Sequence, residues 1–191
     1  MGTLPRLCGP RVQLRRWRVE DRAPFAAMNS DPRVMEFFRS PLTRGDSDAM
    51  AGRIERHFDE YGFGLWALEI RGVVPFIGFA GLTWARFDAH FTPAVEIGWR
   101  LAFLYWGHGY ATEAARLALA FGFDVLALEE AVSFTAPGNR RSRAVMERLG
   151  MQRDPVGDFD YPGFPEGHPM RRHVLYRIGS ERYSAGAISS C

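Results

Sequence analysis

The chain has 191 residues, a length typical of one globular domain with a full hydrophobic core. Its hydrophobic fraction is 47% and its charged fraction is 24%, values that exclude an intrinsically disordered or fibrous protein. The 24 Lys and Arg residues against 22 Asp and Glu residues give a net charge of +2. That charge is too small to favour nucleic acid or an anionic membrane as the partner.

The cysteines and the apolar segments bear on where the protein resides. The two cysteines, Cys8 and Cys191, lie near opposite ends of the chain, and such positions rarely form a disulfide framework. No apolar run approaches the ~18 residues of a membrane span, and residues 1–10 lack the basic start and apolar core of a signal peptide. The sequence therefore predicts a cytoplasmic protein with no membrane segment.

The first half of the chain predicts a strand, two helices and a hairpin. Apolar and polar residues alternate from Val12 to Trp17, as in a half-buried strand. A short helix is predicted from Glu20 to Asn29, and an amphipathic helix from Thr43 to Tyr61 begins with a capping-box pattern. The apolar runs Leu65 to Ile70 and Phe76 to Trp84 predict an antiparallel hairpin.

The second half predicts alternating strands and helices. Strands are predicted at Ala94 to Leu101, Ala131 to Thr135, Met151 to Asp158 and His173 to Ile178, and helices at Tyr110 to Val125 and Arg140 to Leu149. A loop rich in Pro and Gly spans residues 161–169. This order predicts one α/β domain over residues 1–178, with a mixed sheet flanked by helices, and a flexible tail over 179–191.

A glycine-rich turn precedes the helix at Tyr110. Its residues are Trp106, Gly107, His108, Gly109, Tyr110, Ala111 and Thr112. The glycines permit close backbone approach, and N–H groups at a helix start can bind a phosphate, although such glycines can also simply form a tight loop. The sequence lacks both a P-loop lysine and a glycine-rich first βα turn, which argues against a kinase-type or dinucleotide site.

Three other motifs accompany this turn. They are the strand Glu96-Ile-Gly-Trp-Arg-Leu101, the helix Asn139-Arg-Arg-Ser-Arg-Ala-Val-Met-Glu-Arg-Leu-Gly150, and the late strand His173-Val-Leu-Tyr-Arg-Ile178. In this order, over residues 12–178, the chain resembles the GNAT superfamily of N-acetyltransferases, and within it the branch that acetylates ribosomal-protein N-termini. The resemblance implies a seven-stranded, mostly antiparallel sheet that splays between its fourth and fifth strands, with acetyl-CoA in the opening.

The resemblance also implies which residues contact acetyl-CoA. The pyrophosphate would lie on the backbone of the glycine-rich turn. The pantetheine arm would meet backbone groups of Trp99, Arg100 and Leu101, and Asn139 would form a hydrogen bond near its amide. Asn139 could instead, or in addition, cap the helix that follows. Arg143, like its neighbours Arg140 and Arg141, could contact a phosphate or belong to a solvated face.

Acetylation of an amine requires removal of a proton, because free amines have a pKa of about 8 to 10. Glu96 lies in an apolar strand and projects opposite Val95, Ile97 and Trp99, so burial would raise its pKa and suit it to act as the base. The alternative is a structural carboxylate paired with an arginine. By the resemblance, backbone N–H groups around residues 97–99 would stabilise the oxyanion.

The residue that would protonate the leaving thiolate is less clearly marked. The resemblance places a tyrosine where this chain has Met146. Ser142, one helical turn earlier, is a candidate, and the thiolate could also leave without an acid. The five histidines show no zinc-type spacing, so no metal is predicted.

These observations predict an acetyl-CoA-dependent N-acetyltransferase, monomeric or homodimeric, that acts on a primary amine of a small molecule or a peptide N-terminus. The alternative is a non-catalytic module that binds CoA or a protein partner on the same fold. An apolar rim is expected around the acceptor site, formed by Phe37, Phe38, Phe87, Phe91 and Phe164.

Overall fold

The computed structural model describes residues 6–183 and 189–190. Their strands are β1 (Leu7–Cys8), β2 (Val12–Arg15), β3 (Leu65–Ile70), β4 (Val74–Ala85), β5 (Ala94–Leu101), β6 (Glu130–Thr135), β7 (Gln152–Asp160), β8 (Arg172–Gly179) and β9 (Ser189–Ser190). The α-helices are α1 (Arg22–Ser30), α2 (Arg44–Tyr61), α3 (Tyr110–Ala120) and α4 (Arg140–Arg148). The strands form a single sheet in the order β7-β8-β6-β5-β4-β3-β2-β1-β9.

The predicted order of strands and helices is confirmed, with two strands more than the seven expected. The additions are β1 and β9, which pair with each other at the edge of the sheet beside β2. Each has two residues, too few for an alternating pattern to mark them in the sequence. All neighbouring strands pair in the antiparallel sense except β5 and β6.

Local sequence signals account for the helix ends. The capping box predicted for α2 is present, since the Thr43 hydroxyl accepts a hydrogen bond from the backbone N–H of Asp46 at 3.1 Å. The helix ends at Gly62, whose φ of 75° is a left-handed conformation that glycine adopts readily. The chain after α3 continues through one π-helical turn, Phe121–Val125, which occupies the end of the helix predicted there.

Two hydrophobic clusters lie on opposite faces of the sheet. Trp66 and Ala80 pack with α3, whereas their neighbours Ala67 and Phe79 pack with Phe25 of α1. Successive residues of a strand point to opposite faces, so these assignments place α3 on one face and α1 on the other. Residues of β5 contribute to the α3 side through Val95 and Ile97.

The sheet opens between β5 and β6. β5 pairs with β4 along its whole length, from Ala94 to Leu101, but meets the parallel strand β6 only where Glu96 lies opposite Val132. Beyond this pair the two strands separate. The predicted splay between the fourth and fifth strands is therefore confirmed, and those strands are β5 and β6 in the observed numbering.

The chain ends differ from the prediction. Cys8 is disulfide-bonded, so the expectation that the cysteines would not form a disulfide is wrong for this residue; Cys191 lies outside the described residues. In the segment predicted as a flexible tail, Ser180–Arg182 form a 3-10 turn and Ser189–Ser190 form β9; residues 184–188 and 191 are also outside the described part. None of the described helices is both long and apolar enough to cross a membrane.

Candidate active site

Glu96 lies at the point where β5 and β6 begin to separate. Val95 and Ile97 are buried on the α3 face, so the side chain of Glu96 lies on the other face, where its Oε1 is 3.7 Å from the position that a Cβ at Gly98 would occupy. Burial raises the pKa of Glu96 to about 8. No basic side chain within residues 6–183 pairs with this carboxylate, which does not fit the arginine-paired alternative.

An aromatic cluster occupies the sheet face beside Glu96. It consists of Phe87, Phe91, Phe134, Phe159 and Tyr161, with ring centroids 5.1 Å apart for Phe87 and Tyr161 and 4.8 Å apart for Phe91 and Phe159. Burial, and next the charge of Glu96, raise the pKa of Tyr161. Of the phenylalanines predicted to form an apolar rim, Phe87 and Phe91 belong to this cluster, and the ring centroid of Phe164 lies 6.2 Å from that of Tyr161.

Phe37 and Phe38 belong to a different part of the site. They lie in the α1–α2 loop, residues 31–43, where Phe38 covers the guanidinium of Arg100 at 3.9 Å and Phe37 lies 5.7 Å from that of Arg141. Glu36 forms an ion pair with Arg141. The α1–α2 loop therefore contacts both β5 and the start of α4, which lie on the two sides of the opening in the sheet.

The glycine-rich turn has the geometry of an anion site. Gly107 and Gly109 have φ values of 80° and 81°, and Gly109 is the N-cap of α3, where it supplies no side chain to bond the first N–H groups of the helix. Arg11 supports the turn by donating to the carbonyl of His108 at 2.9 Å and to the carboxylate of Glu113 at 2.8 Å. Arg11 was missed in the sequence because it lies on the β1–β2 connection, far away along the chain.

Trp106 connects this turn to the end of β5. Its indole N–H donates to the carbonyl of Leu101 at 2.8 Å, and the guanidinium of Arg141 lies 4.7 Å from its ring. The carbonyl of Leu101 therefore already has a donor. Trp99 is half-buried and packs against the α3 cluster, and the side chain of Arg100 is buried on the opposite face.

The start of α4 faces the same opening. Asn139 is the N-cap, because its side-chain oxygen accepts from the backbone N–H of Ser142 at 3.2 Å. Its amide group donates to the Thr135 hydroxyl at 3.0 Å. Arg143 donates to the phenol of Tyr176 at 3.2 Å and to the carbonyl of Pro137 at 3.1 Å, so the protein itself occupies two of its donors.

Met146 is buried in α4, 1% exposed, where the resemblance places a tyrosine. A phenol that does contact this helix is that of Tyr176 in β8, which is buried and donates to Glu147 of α4 at 3.1 Å. Tyr176 carries no sequence signal, since a tyrosine in an apolar strand is common. The described residues contain no group of three or more His, Cys, Asp or Glu side chains that could hold a metal ion.

Comparison with known proteins agrees with this geometry. Residues 11–152 match the family described as an acetyltransferase (GNAT) domain. The FsC-acetyl coenzyme A-N(2)-transacetylase of Aspergillus fumigatus is 30% identical over 190 residues, covering 94% of this chain and 78% of that protein. A GNAT-family acetyltransferase from Bacillus anthracis superimposes with a TM-score of 0.75 and 25% identity, covering 92% of this chain and 99% of its own.

A further solved structure shares the fold. Mycobacterium smegmatis RimJ in complex with CoA-disulfide superimposes with a TM-score of 0.72 at 20% identity, over 92% of this chain and 86% of that one. The fold of this chain is therefore shared with a protein whose structure holds a CoA derivative.

Proposed function

This chain belongs to the GNAT acetyltransferase family, and on that premise we propose that it transfers an acetyl group from acetyl-CoA to a primary amine. The observation that carries the proposal is Glu96, a largely buried carboxylate without a cationic partner in the described chain, placed where β5 and β6 diverge. The N-transacetylase similarity supports both the acetyl donor and a nitrogen acceptor.

We assign acetyl-CoA to the opening between β5 and β6. The free N–H groups at the start of α3 would bind the pyrophosphate, because these groups and the helix dipole favour negative charge. The unpaired edge of β5 beyond Glu96 would bind the amides of the pantetheine arm. Asn139 and Ser142, at the start of α4, face the other side of this arm.

Glu96 acts as the general base in this proposal. The amine nitrogen attacks the thioester carbonyl carbon, the C–S bond breaks, and the proton lost by the amine passes to the Glu96 carboxylate, directly or through a water. A pKa of about 8 suits the exchange of a proton with an amine near neutral pH. Backbone N–H groups near residues 97–99 would stabilise the oxyanion, and Ser142 is the candidate acid for the thiolate.

A test of this proposal combines an amine panel with the variant Glu96→Gln, which keeps the side-chain shape but removes the base. Wild type should release CoA in the presence of an amine, with acetylated product detected by mass spectrometry. The variant should keep the melting shift caused by acetyl-CoA but lose about 10²- to 10⁴-fold in kcat. The deficit should shrink as the pH approaches the pKa of the amine, because solvent then supplies the neutral nucleophile.

The second candidate function is a CoA-binding module without catalysis. Met146 favours it, because this residue fills the position where the resemblance expects an acid. The same measurements separate the two functions. Acetyl-CoA binding without turnover of any amine or peptide N-terminus would favour the module, and no melting shift with acetyl-CoA would contradict both.

A further inference from the structure

Arg100 is a buried cation without an acidic partner in the described chain. It is 9% exposed, and the only hydrogen bond that its side chain forms within residues 6–183 runs from Nη1 to the side-chain oxygen of Asn29, at 2.7 Å. Arg15, the other deeply buried arginine, is 2% exposed but forms ion pairs with Asp21 at 2.7 Å and Glu69 at 2.6 Å. Burial of an unpaired charge is unfavourable in free energy. The ion pairs of Arg15 offset this term, whereas Arg100 forms no ion pair with a described residue that could offset it.

The guanidinium of Arg100 keeps a donor that no described residue uses. Nη1 is engaged by Asn29, while Nε is buried and has no acceptor. The central carbon of the guanidinium lies over two rings, 3.9 Å from the centroid of Phe38 and 5.5 Å from the centroid of Phe79. Because Nε is shielded from solvent, Nη2, which has no acceptor among the described residues, is the donor left for a carboxylate.

Arg100 lies on the same face of β5 as Glu96. The residue between them on this face is Gly98, where an added Cβ would meet, apart from its chain neighbours, only Glu96 Oε1 within 4 Å, so the space directly above Gly98 is open to that distance. Four residues along a strand correspond to about 13 Å between Cα atoms, and both side chains extend from the strand. An acceptor above Gly98 would reach Glu96 at one end and Arg100 at the other.

We propose that Arg100 binds a carboxylate of the acceptor, so that the preferred acceptor is an amine that also carries a carboxylate several bonds away. This inference rests on the proposed acetyl transfer and narrows its acceptor to amino acids with a distal amine or to short peptides. Burial lowers the pKa of Arg100 to about 10, so the guanidinium remains charged at neutral pH. A bound carboxylate would supply the missing negative charge.

The test compares 6-aminohexanoate with hexylamine, which has the same chain length but no carboxylate. Wild type should prefer 6-aminohexanoate in kcat/KM. In Arg100→Met, which keeps length but removes charge, this preference should fall by about 10- to 100-fold, as expected for hydrogen bonds between charged groups. Asn29→Asp, which places a carboxylate beside Arg100, should reduce the same preference by competing for the guanidinium.

Stability measurements separate recognition from a purely structural role. Arg100→Met should melt at or above the wild-type temperature, because the substitution removes an unpaired buried charge. Arg15→Met should melt at a lower temperature, because Asp21 and Glu69 would lose the ion pairs that they form with Arg15. A lower melting temperature for Arg100→Met, with equal losses for both amines, would identify a structural residue and overturn the inference. If Arg100→Met does not fold, the inference is tested by the ratio of kcat/KM for 6-aminohexanoate to kcat/KM for hexylamine in Asn29→Asp.

Binding measurements with the two amines test this inference independently of the proposed function. With CoA present, 6-aminohexanoate should raise the melting temperature of wild type more than hexylamine does, and this difference should vanish in Arg100→Met. That result without acetyl transfer would support the role of Arg100 and contradict the proposed enzyme. Acetyl transfer to both amines, with a ratio that neither variant changes, would support the enzyme and overturn the role of Arg100.

Discussion

At the scale of single residues, β5 carries two ionisable groups whose pKa values burial shifts in opposite directions. Burial raises the pKa of Glu96 to about 8 and lowers the pKa of Arg100 to about 10, because it disfavours the charged form of each. Neither forms an ion pair with a described residue, in contrast with Arg15. Such uncompensated groups reduce stability and are typical of sites that bind or react with a ligand.

The raised pKa of Glu96 predicts a pH dependence of folding. The carboxyl titrates near 4.5 in the unfolded chain and near 8 in the folded protein, so the unfolded state alone releases the proton between these values. The contribution of Glu96 to stability is therefore complete below about pH 4.5 and is lost as the pH rises to about 8, by a few kcal/mol at most. Paired melting curves of wild type and Glu96→Gln from pH 4.5 to 9 measure this loss.

In that comparison Glu96→Gln should gain stability relative to wild type as the pH rises. Glu20→Gln, a change at an exposed carboxyl, is the control and should show no such trend. Parallel curves for wild type and Glu96→Gln would mean that Glu96 is hydrated in solution, and they would remove the main reason to assign it the role of base.

At the scale of elements, the glycine-rich turn is held by contacts with neighbouring strands. Arg11, just before β2, donates to the carbonyl of His108 and to Glu113 of α3, and the indole of Trp106 joins the turn to β5. The positive φ values of Gly107 and Gly109 make larger residues at these positions strained, so glycine variants would mix a folding defect with a binding defect. His108, which is exposed, is the better site for a test.

We expect His108→Glu to weaken acetyl-CoA binding by about 5- to 10-fold, since like charges at close range repel by ~1 kcal/mol in water. His108→Gln, which adds no charge, should lose much less. Calorimetric titration at low and high salt measures the effect, and added salt should reduce the difference between the two variants. Equal affinities at low salt would place the pyrophosphate away from this turn.

At the scale of the whole molecule, the two halves of the sheet meet through one ladder pair between β5 and β6. The α1–α2 loop adds a second connection through the ion pair of Glu36 with Arg141. A ligand in the opening would contact β5 on one side and the start of α4 on the other. It would therefore join the two halves and restrict their relative motion.

Hydrogen exchange can test this bridging. Acetyl-CoA should slow amide exchange in peptides that cover β5 and in peptides that cover the start of α4, because both sides lose local opening when the ligand connects them. Peptides from β3, which β4 separates from β5 in the sheet, serve as the internal reference. Protection confined to the start of α3 would show that the ligand binds the turn without entering the sheet.

Local patterns along the chain predict the order of the elements and the place of the glycine-rich turn, because periodicity, helix caps and glycines are properties of short segments. They also mark Glu96, since one carboxylate in an apolar strand is visible without a structure. The chain resembles a family whose fold the structure confirms, and the splay of β5 from β6 follows from that resemblance.

Contacts between residues far apart along the chain are visible only in the folded protein. Arg11 at the glycine turn, Asn29 beside Arg100, and Glu36 against Arg141 come together from different elements, and no local pattern records such pairings. The short strand β1 is defined by its pairing with β2 and β9, and β9 pairs with β1, a contact between segments far apart along the chain. The ion-pair partners of a buried charge come from all the elements packed around it. The lack of an acidic partner for Arg100 among the described residues is therefore evident only from the structure.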